Sequence, residues 1–210
     1  MKHGYVKAAA LTPGIRVADT VYNTEQIKKG LDEAFAEAAK IIVFPELCIT
    51  GYTCQDLGFQ ETLLKGATEG LKGNREYDQR VGTALVFVGL PLEKSGKLFN
   101  VAAVRPEREN PGIYPEGTIP NYGEFYEARY FVAGNAEAEN FMFDGEEIPF
   151  GTHILFCVDA VDGLQVACEI CEDVWAAETP STSHAMAGAT VIVNLSASNE
   201  TVGRMPTGRI

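Results

Sequence analysis

Two residues follow apolar segments at positions where a side chain can do chemistry. Glu46 follows the β-branched run 41–44 after one proline, Pro45, and Cys171 comes directly after the apolar segment 163–170. Desolvation at such a place raises the pKa of a carboxyl group toward values that suit a general base. A cysteine between a strand and a polar turn is exposed enough to act as a thiolate nucleophile. The pair indicates acyl-transfer chemistry, although each residue also fits a structural role, as a rim glutamate or a small core side chain.

Cys171 also forms a Cys-x-x-Cys pair with Cys168. Structural zinc needs a second pair of ligands, and Cys48 with Cys54 is too widely spaced for a standard knuckle. Redox chemistry of the thioredoxin type needs the pair at a helix N-terminus after a strand, an alternative that the pattern leaves open. No histidine lies near Cys171 in the sequence, since the three histidines are His3, His153 and His184. The sequence therefore predicts no metal site.

Two polar segments are candidates for contacts with a ligand. The stretch 121–131 is dense in aromatic residues and carboxylates, which fits either the wall of a small pocket or a surface helix with charge pairs. In the pocket alternative, Glu124 or Glu127 supplies polar contacts. The stretch 194–200 carries small hydroxyl and amide side chains, which suit either a polar ligand or a helix cap. Neither a phosphate-binding loop nor a glycine-rich dinucleotide fingerprint occurs in the sequence.

Strands alternate with helices in the pattern of apolar residues. Strands are predicted at 5–11, 41–44, 84–90, 99–104, 151–158, 163–170 and 190–195. Helices are predicted after an N-cap at Asn23, over 56–72 and over 182–188, whereas 105–120 is typical of a loop. This order favours an α/β or α+β domain with a mixed sheet. Open sheets of this kind bind ligands beyond the carboxyl ends of their strands, which is where Glu46 and Cys171 lie.

Composition is that of an ordinary globular domain of 210 residues, with 46% hydrophobic and 22% charged residues. The net charge of −12 argues against nucleic acid or an anionic membrane as a partner. No apolar stretch approaches the ~18 residues that span a bilayer, and the run 8–11 is too short for a signal peptide. We therefore expect a cytoplasmic protein whose five cysteines are reduced.

Four motifs occur in order along the chain: Phe44-Pro45-Glu46-Leu47 with Thr50-Gly51-Tyr52, then 120–127, then Cys171-Glu172-Asp173-Val174-Trp175, then 194–200. Together they resemble the nitrilase-like glutamine amidase domain of glutamine-dependent NAD synthetases, over about 5–204. The resemblance implies one domain over 1–210, folded as a four-layer αββα sandwich that is incomplete at its C-terminus. It also implies assembly as a homo-oligomer.

The function that the resemblance implies is hydrolysis of the glutamine side-chain amide through a cysteine thioester. The released ammonia would amidate deamido-NAD in NAD biosynthesis. Glu46 matches the general base and Cys171 the nucleophile, while Tyr122, Ser198 and Arg204 match glutamine-binding positions, where an arginine fork suits the α-carboxylate. The amidase step needs no cofactor. ATP and Mg belong to a C-terminal synthetase domain, whose pyrophosphate loop is absent from these residues.

One lysine that the resemblance leads us to expect is missing. Glu116 stands where the family has lysine in a Pro-Lys-x-x-[Leu/Ile]-Pro context, and no lysine follows Lys97. The cation should stabilise the tetrahedral oxyanion and the thiolate, whereas a carboxylate raises a thiol pKa. Losing one oxyanion donor costs on the order of 10²–10³ in rate, so we expect weak or absent glutaminase activity. Two alternatives stay open: a stand-alone amidase acting on another small amide, and a catalytically impaired binding domain.

Overall fold

The computed structural model describes residues 5–78, 84–105, 111–158 and 161–199, with the backbone alone at 73–78. Within these ranges the strands are β1 (Ala8–Ala10), β2 (Ile41–Val43), β3 (Leu85–Lys94), β4 (Lys97–Arg105), β5 (Gly112–Pro115), β6 (Glu139–Phe143), β7 (Glu146–Phe150), β8 (Phe156–Cys157), β9 (Gln165–Ile170) and β10 (Val191–Leu195). The α-helices are α1 (Thr20–Ala36), α2 (Glu61–Asp78) and α3 (Pro180–Met186). Turns of 3₁₀ helix span Tyr52–Phe59, Glu127–Arg129 and Cys171–Trp175. None of the helices described is both long and apolar enough to cross a bilayer.

The strands form two sheets. One has seven strands in the order β1-β2-β3-β4-β5-β7-β6, and the other has three in the order β10-β9-β8. In the smaller sheet β10 runs parallel to β9, with Leu195 opposite Ile170. Both strands therefore end side by side, which brings the residues after Leu195 next to Cys171.

The side chains of β3 show how the layers stack. Val86 and Val88 join the apolar cluster that includes Ile27 and Leu31 of α1, on the outer side of the large sheet. Leu85 and Phe87 point the other way, into a cluster shared with the apolar side chains of β9. Helix α3 packs on the outer side of β9. The order of layers is therefore helix, sheet, sheet, helix, the αββα sandwich, and β3 is apolar without alternation because both its faces are buried.

Helix α1 begins earlier than the sequence indicates. Its N-cap is Asp19, whose carboxylate accepts a hydrogen bond from the Tyr22 N–H at 3.0 Å. Asn23, predicted as the N-cap, is instead buried inside the helix, and its Nδ2 donates to the carbonyls of Arg16 and Ile49. Aspartate and asparagine are both common N-cap residues. Asp19 is the N-cap here because the side chain of Asn23 is bonded to distant backbone carbonyls.

Other differences concern β5 and the β6–β7 hairpin. The loop predicted over 105–120 contains β5, which pairs antiparallel with β4 although Pro111 precedes the strand and Pro115 is its last residue. The hairpin was not predicted at all, because its strands are charged and largely exposed at the edge of the large sheet. Phe141 and Phe143 of β6 and Ile148 and Phe150 of β7 do alternate and pack on the core, but two such residues per strand are too few for a sequence pattern to indicate a strand.

Candidate active site

Glu46 lies in the turn that follows β2. The next residue, Leu47, has a φ of +49°, in the left-handed region that most residues avoid. A Cβ on Gly89 of β3 would lie 2.5 Å from the backbone nitrogen of Leu47 and 2.5 Å from the carbonyl of Pro45. Only glycine fits there, so the close approach of β3 fixes the turn and points the Glu46 side chain inward, where it is 2% exposed.

The Glu46 carboxyl group is held by donors from two directions. Its Oε1 accepts from Asn100 Nδ2 at 2.7 Å, and its Oε2 accepts from the Ala197 N–H at 2.9 Å. Burial and the negative charge of Glu127 raise the pKa of Glu46 from 4.5 to about 7, against the opposing hydrogen bonds from Ala197, Asn100 and the Cys171 thiol. A carboxyl group that titrates near neutrality suits a general base.

Cys171 is the first residue of the 3₁₀ turn after β9. Its φ is +37°, a conformation that costs a residue with a side chain about 1–3 kcal/mol and that recurs at functional sites. The Ser196 hydroxyl donates to the sulfur at 3.5 Å, and the Ser198 oxygen lies 4.0 Å away. Burial, then the charge of Glu46, raises the pKa of the thiol to about 12. The resting thiol therefore holds its proton, and attack on a carbonyl needs a base beside it.

Asp173 fastens the Cys171 turn to the segment after β5. Its Oδ2 accepts from the Ile170 N–H and the Tyr114 hydroxyl, both at 3.0 Å. Its Oδ1 accepts from the backbone N–H groups of Gly117 at 3.0 Å and Thr118 at 2.8 Å. The sequence motif contained Asp173, but no spacing pointed to this role, since its partners on the β5 side lie more than 50 residues away.

Three carboxyl groups meet beside the thiol. Glu46, Glu116 and Glu127 are all buried, and one oxygen from each lies within 4.8 Å of the other two. Asn100 Nδ2 bridges two of them, because it donates to Glu46 and also to Glu116 Oε2 at 3.0 Å. Within the described part of the chain, this group has the oxygen ligands and spacing to hold a hard divalent cation. The prediction of no metal site stays a prediction.

Burial dominates the electrostatics of this cluster. It raises the pKa of Glu116 to about 10, with further contributions from the charges of Glu46, Glu127 and Asp173. Burial also raises the pKa of Glu127, against a hydrogen bond from the Tyr52 hydroxyl, which donates to Glu127 Oε1 at 2.5 Å. The sequence predicts Glu127 as a pocket residue and places Glu116 where a lysine is expected, but no local pattern brings either of them next to Glu46.

The three predicted glutamine-binding residues have different positions. Ser198 lies beside Cys171, as given above. Tyr122 is 59% exposed, and its hydroxyl donates to the Glu172 carboxylate, at 2.9 and 2.8 Å to the two oxygens. Arg204 lies outside the described residues. The structure thus places Ser198 near the Cys171 sulfur and Tyr122 on Glu172, the residue that follows Cys171.

A cavity of ≈ 200 Å³ adjoins the carboxyl cluster. Its lining includes Tyr52, Glu124, Tyr126, Glu127, Tyr130 and Phe131. The stretch 121–131 therefore serves as a pocket wall, with a single short 3₁₀ turn, and does not form the surface helix that was the alternative. Both carboxylates that we expected to supply polar contacts reach this cavity.

The Cys-x-x-Cys pair does not have the geometry of a redox site. Cys168 is fully buried inside β9, and burial raises the pKa of its thiol well above the ordinary value. Cys171 begins a 3₁₀ turn, so the pair does not lie at the N-terminus of an α-helix. The redox alternative therefore lacks the positive end of a helix that lowers a thiol pKa.

Comparison with known proteins gives one family match over nearly the whole chain. The model of the carbon-nitrogen hydrolase family matches residues 7–209. Glutamine-dependent NAD(+) synthetase of Mycobacterium tuberculosis (strain ATCC 25618 / H37Rv) is 33% identical over 209 residues, which are 100% of this chain and 31% of the relative. The synthetase of Aquifex aeolicus (strain VF5) is 35% identical over 186 residues, 87% of this chain and 28% of that protein. The chain thus spans about a third of the length of these relatives.

Solved structures give the same fold. A crystal structure of a glutamine-dependent NAD(+) synthetase from Cytophaga hutchinsonii has a TM-score of 0.80 and 27% identity, covering 95% of this chain and 32% of that one. An amidase from Nesterenkonia sp. has a TM-score of 0.69 and 19% identity, covering 96% of this chain and 68% of that one. The second likeness concerns the fold alone, and both confirm the nitrilase-like sandwich predicted from the sequence.

Proposed function

Because the chain belongs to the carbon-nitrogen hydrolase family, we propose that it hydrolyses the side-chain amide of glutamine with Cys171 as nucleophile and Glu46 as general base. One observation carries the proposal. Cys171 and Glu46 follow the ends of β9 and β2, in two different sheets, and the segment after β10 holds both side chains at one site. Residues 196–198 touch both groups, with Ser196 on the sulfur and the Ala197 N–H on the carboxylate.

Acylation begins with the transfer of the thiol proton to Glu46 as the sulfur attacks the amide carbon. The raised pKa of the thiol keeps it protonated until substrate is in place, and the pKa of Glu46 near 7 makes it half ionised at neutral pH. The tetrahedral intermediate then collapses with cleavage of the C–N bond. The leaving nitrogen takes the proton from Glu46 and departs as ammonia, which leaves a thioester on Cys171.

Deacylation uses the same two groups in reverse. Glu46 takes a proton from water as the water oxygen attacks the thioester carbon. The second tetrahedral intermediate breaks its C–S bond, the sulfur recovers the proton from Glu46, and glutamate leaves. Splitting one difficult amide hydrolysis into two acyl transfers is the gain that a covalent nucleophile supplies.

Glutamine is the proposed substrate because the relatives at 33% and 35% identity are glutamine-dependent NAD(+) synthetases. Tyr122, Ser198 and Arg204 are the proposed contacts with its amino-acid end. In a protein of that kind the ammonia would amidate deamido-NAD in a synthetase domain that uses ATP and Mg. A homo-oligomer is part of the same proposal.

An alternative is an amidase that acts on a different small amide. The fold likeness to the Nesterenkonia amidase, of which the chain covers 68%, favours it. A panel of ω-amides separates the two, since cleavage of another amide in a preparation that leaves glutamine intact would favour the alternative.

The test of the proposal is release of glutamate and ammonia from glutamine by the purified chain. Cys171→Ala should abolish release, because it removes the proposed nucleophile. Cys168→Ala is the matched control, since it removes a neighbouring buried thiol and should leave activity largely intact. Glu116→Lys should increase the rate by on the order of 10²-fold, because it supplies an oxyanion donor. Unchanged release by Cys171→Ala would refute the proposed nucleophile.

A further inference from the structure

The carboxyl cluster of Glu46, Glu116 and Glu127 has no matching positive charge in the described structure. None of the ion pairs formed by the described residues includes any of the three. All three are at most 4% exposed, so water screens their mutual repulsion poorly. Carboxylates that share a buried site do not all ionise together, and one of them retains a proton.

Hydrogen bonds decide which member retains it. Glu46 accepts a donor on each oxygen, from Asn100 and from the Ala197 backbone, and such bonds stabilise the ionised form. Glu127 accepts from the Tyr52 hydroxyl. Glu116 is 0% exposed and shares the single Asn100 donor with Glu46. Its Oε1 is buried without a hydrogen-bond partner, as is Oε2 of Glu127. Because Glu127 has the Tyr52 hydroxyl as its own donor whereas Glu116 shares Asn100, Glu116 has the poorest environment for a negative charge.

We propose that Glu116 works as a neutral carboxylic acid over the pH range in which Glu46 acts as the base. This inference rests on the proposed function, in which Glu46 must ionise to accept the Cys171 proton. Glu116 is a positioning residue: its neutral form keeps Asn100 in place and adds no negative charge beside Glu46 and the thiol. The pKa values of the two carboxyl groups, about 7 and about 10, agree with this division of roles.

The proposal modifies what the sequence indicated for this position. A glutamate in place of a lysine was expected both to remove an oxyanion donor and to repel the thiolate. With its proton retained, Glu116 still lacks the oxyanion donor that a lysine would supply, but it does not repel the thiolate. Activity should therefore be lowered by the missing cation and not abolished by charge reversal.

The first test measures the proton directly. Infrared difference spectra of the native chain minus Glu116→Gln, recorded at pH 8.5, should contain the C=O stretching band of a protonated carboxyl group. That pH lies above the pKa of Glu46 and below that of Glu116. Glu93→Gln, at an exposed glutamate, is the control that should lack the band. No band in the native-minus-Gln spectrum would overturn the proposal, whatever the activity.

The second test measures the role in the reaction. Glu116→Gln preserves shape and neutrality, so glutamate release at pH 7–8 should stay within about tenfold of native, the worth of one hydrogen bond. At higher pH the native rate should fall as Glu116 ionises, and the rate of the Gln variant should not. An inactive Gln variant beside an active Glu116→Lys would overturn the inference and leave the proposed function standing. If the native chain, Glu116→Gln and Glu116→Lys all fail to release glutamate, the proposed function is refuted. The infrared band would still show whether Glu116 is protonated.

A bound cation would neutralise the cluster in a different way. The chain should be treated with EDTA and then titrated with Mn²⁺ while its Tm is followed. We expect the same small response from the native chain and Glu116→Gln. A rise in Tm for the native chain that the Gln variant lacks would show that a metal ion, and not a proton, balances the carboxylates, and it would overturn the proposal.

Discussion

Replacing Glu116 by glutamine should raise the free energy of unfolding by an amount that grows with pH. In the unfolded chain a glutamate ionises near its ordinary pKa of 4.5, whereas burial raises the pKa of Glu116 in the folded chain to about 10. A group with a raised folded pKa contributes its stability below the unfolded value and loses it progressively as pH rises toward the folded value. The native chain should therefore lose stability between pH 4.5 and about 10, and a glutamine, which does not titrate, removes that loss.

The magnitude follows from the width of this window. Each pH unit between the two pKa values is worth about 1.4 kcal/mol. The quantity to compare is the unfolding free energy of Glu116→Gln minus that of the native chain. Between pH 4.5 and pH 8, about 3.5 units, this difference should grow by up to about 5 kcal/mol. That is a large share of the 5–15 kcal/mol that typically stabilises a domain. Glutamine keeps the acceptor for Asn100, so packing in the two chains is matched.

Urea unfolding of both chains at pH 5, 6, 7 and 8 measures this difference, with the m-value as a check that the transition is the same. Glu93→Gln, at an exposed position of β3, is the control and should show no such trend. A gap between native and Glu116→Gln that stays constant from pH 5 to pH 8 would refute the reasoning, because it would mean that Glu116 ionises in the folded chain as it does in the unfolded one.

Three further outcomes are expected. The kcat/KM for glutamine should rise tenfold per pH unit below an apparent pKa near 7 and level off by pH 8, because Glu46 must be ionised to accept the thiol proton; a profile flat from pH 5 to 8 would contradict this role. Asp173→Ala should lower the unfolding free energy by at least about 3 kcal/mol in urea titrations, because it leaves buried donors such as the Ile170 N–H without an acceptor. Gly89→Ala should lower the Tm, with a cost of about 1–3 kcal/mol for the overlap with the Glu46 turn, whereas Gly96→Ala, in an open turn, should not show that overlap cost. An unchanged Tm for Asp173→Ala or Gly89→Ala would count against the tight turns described at the site.

The ends of the two strands that precede Glu46 and Cys171 could be predicted from the sequence because local pattern determines them. The apolar runs before Glu46 and Cys171 are buried on both faces, and such runs end where the chain meets polar residues. The layer order was implied by the family resemblance, and the packing of β3 between two apolar clusters explains it physically.

The partners of these residues could not be predicted in the same way. Asn100 lies 54 residues from Glu46, and Ala197 lies 151 residues from it. Only the register of β3 with β4, and of β9 with β10, brings these groups together. The state of Glu116 depends on burial that no local pattern reports, which is why the sequence indicated a repulsive charge where the structure favours a neutral acid.

Covalent trapping of Cys171 tests the central claim most directly. The reagent is a glutamine analogue that carries an electrophilic diazoketone in place of the side-chain amide, and peptide mass spectrometry locates the label. We expect a single label on Cys171, slowed by excess glutamine, lost in Cys171→Ala and Glu46→Gln, and retained in Cys168→Ala. Labelling of another cysteine, or labelling of Cys171 that glutamine does not slow, would contradict the account of this site as a glutamine amidase.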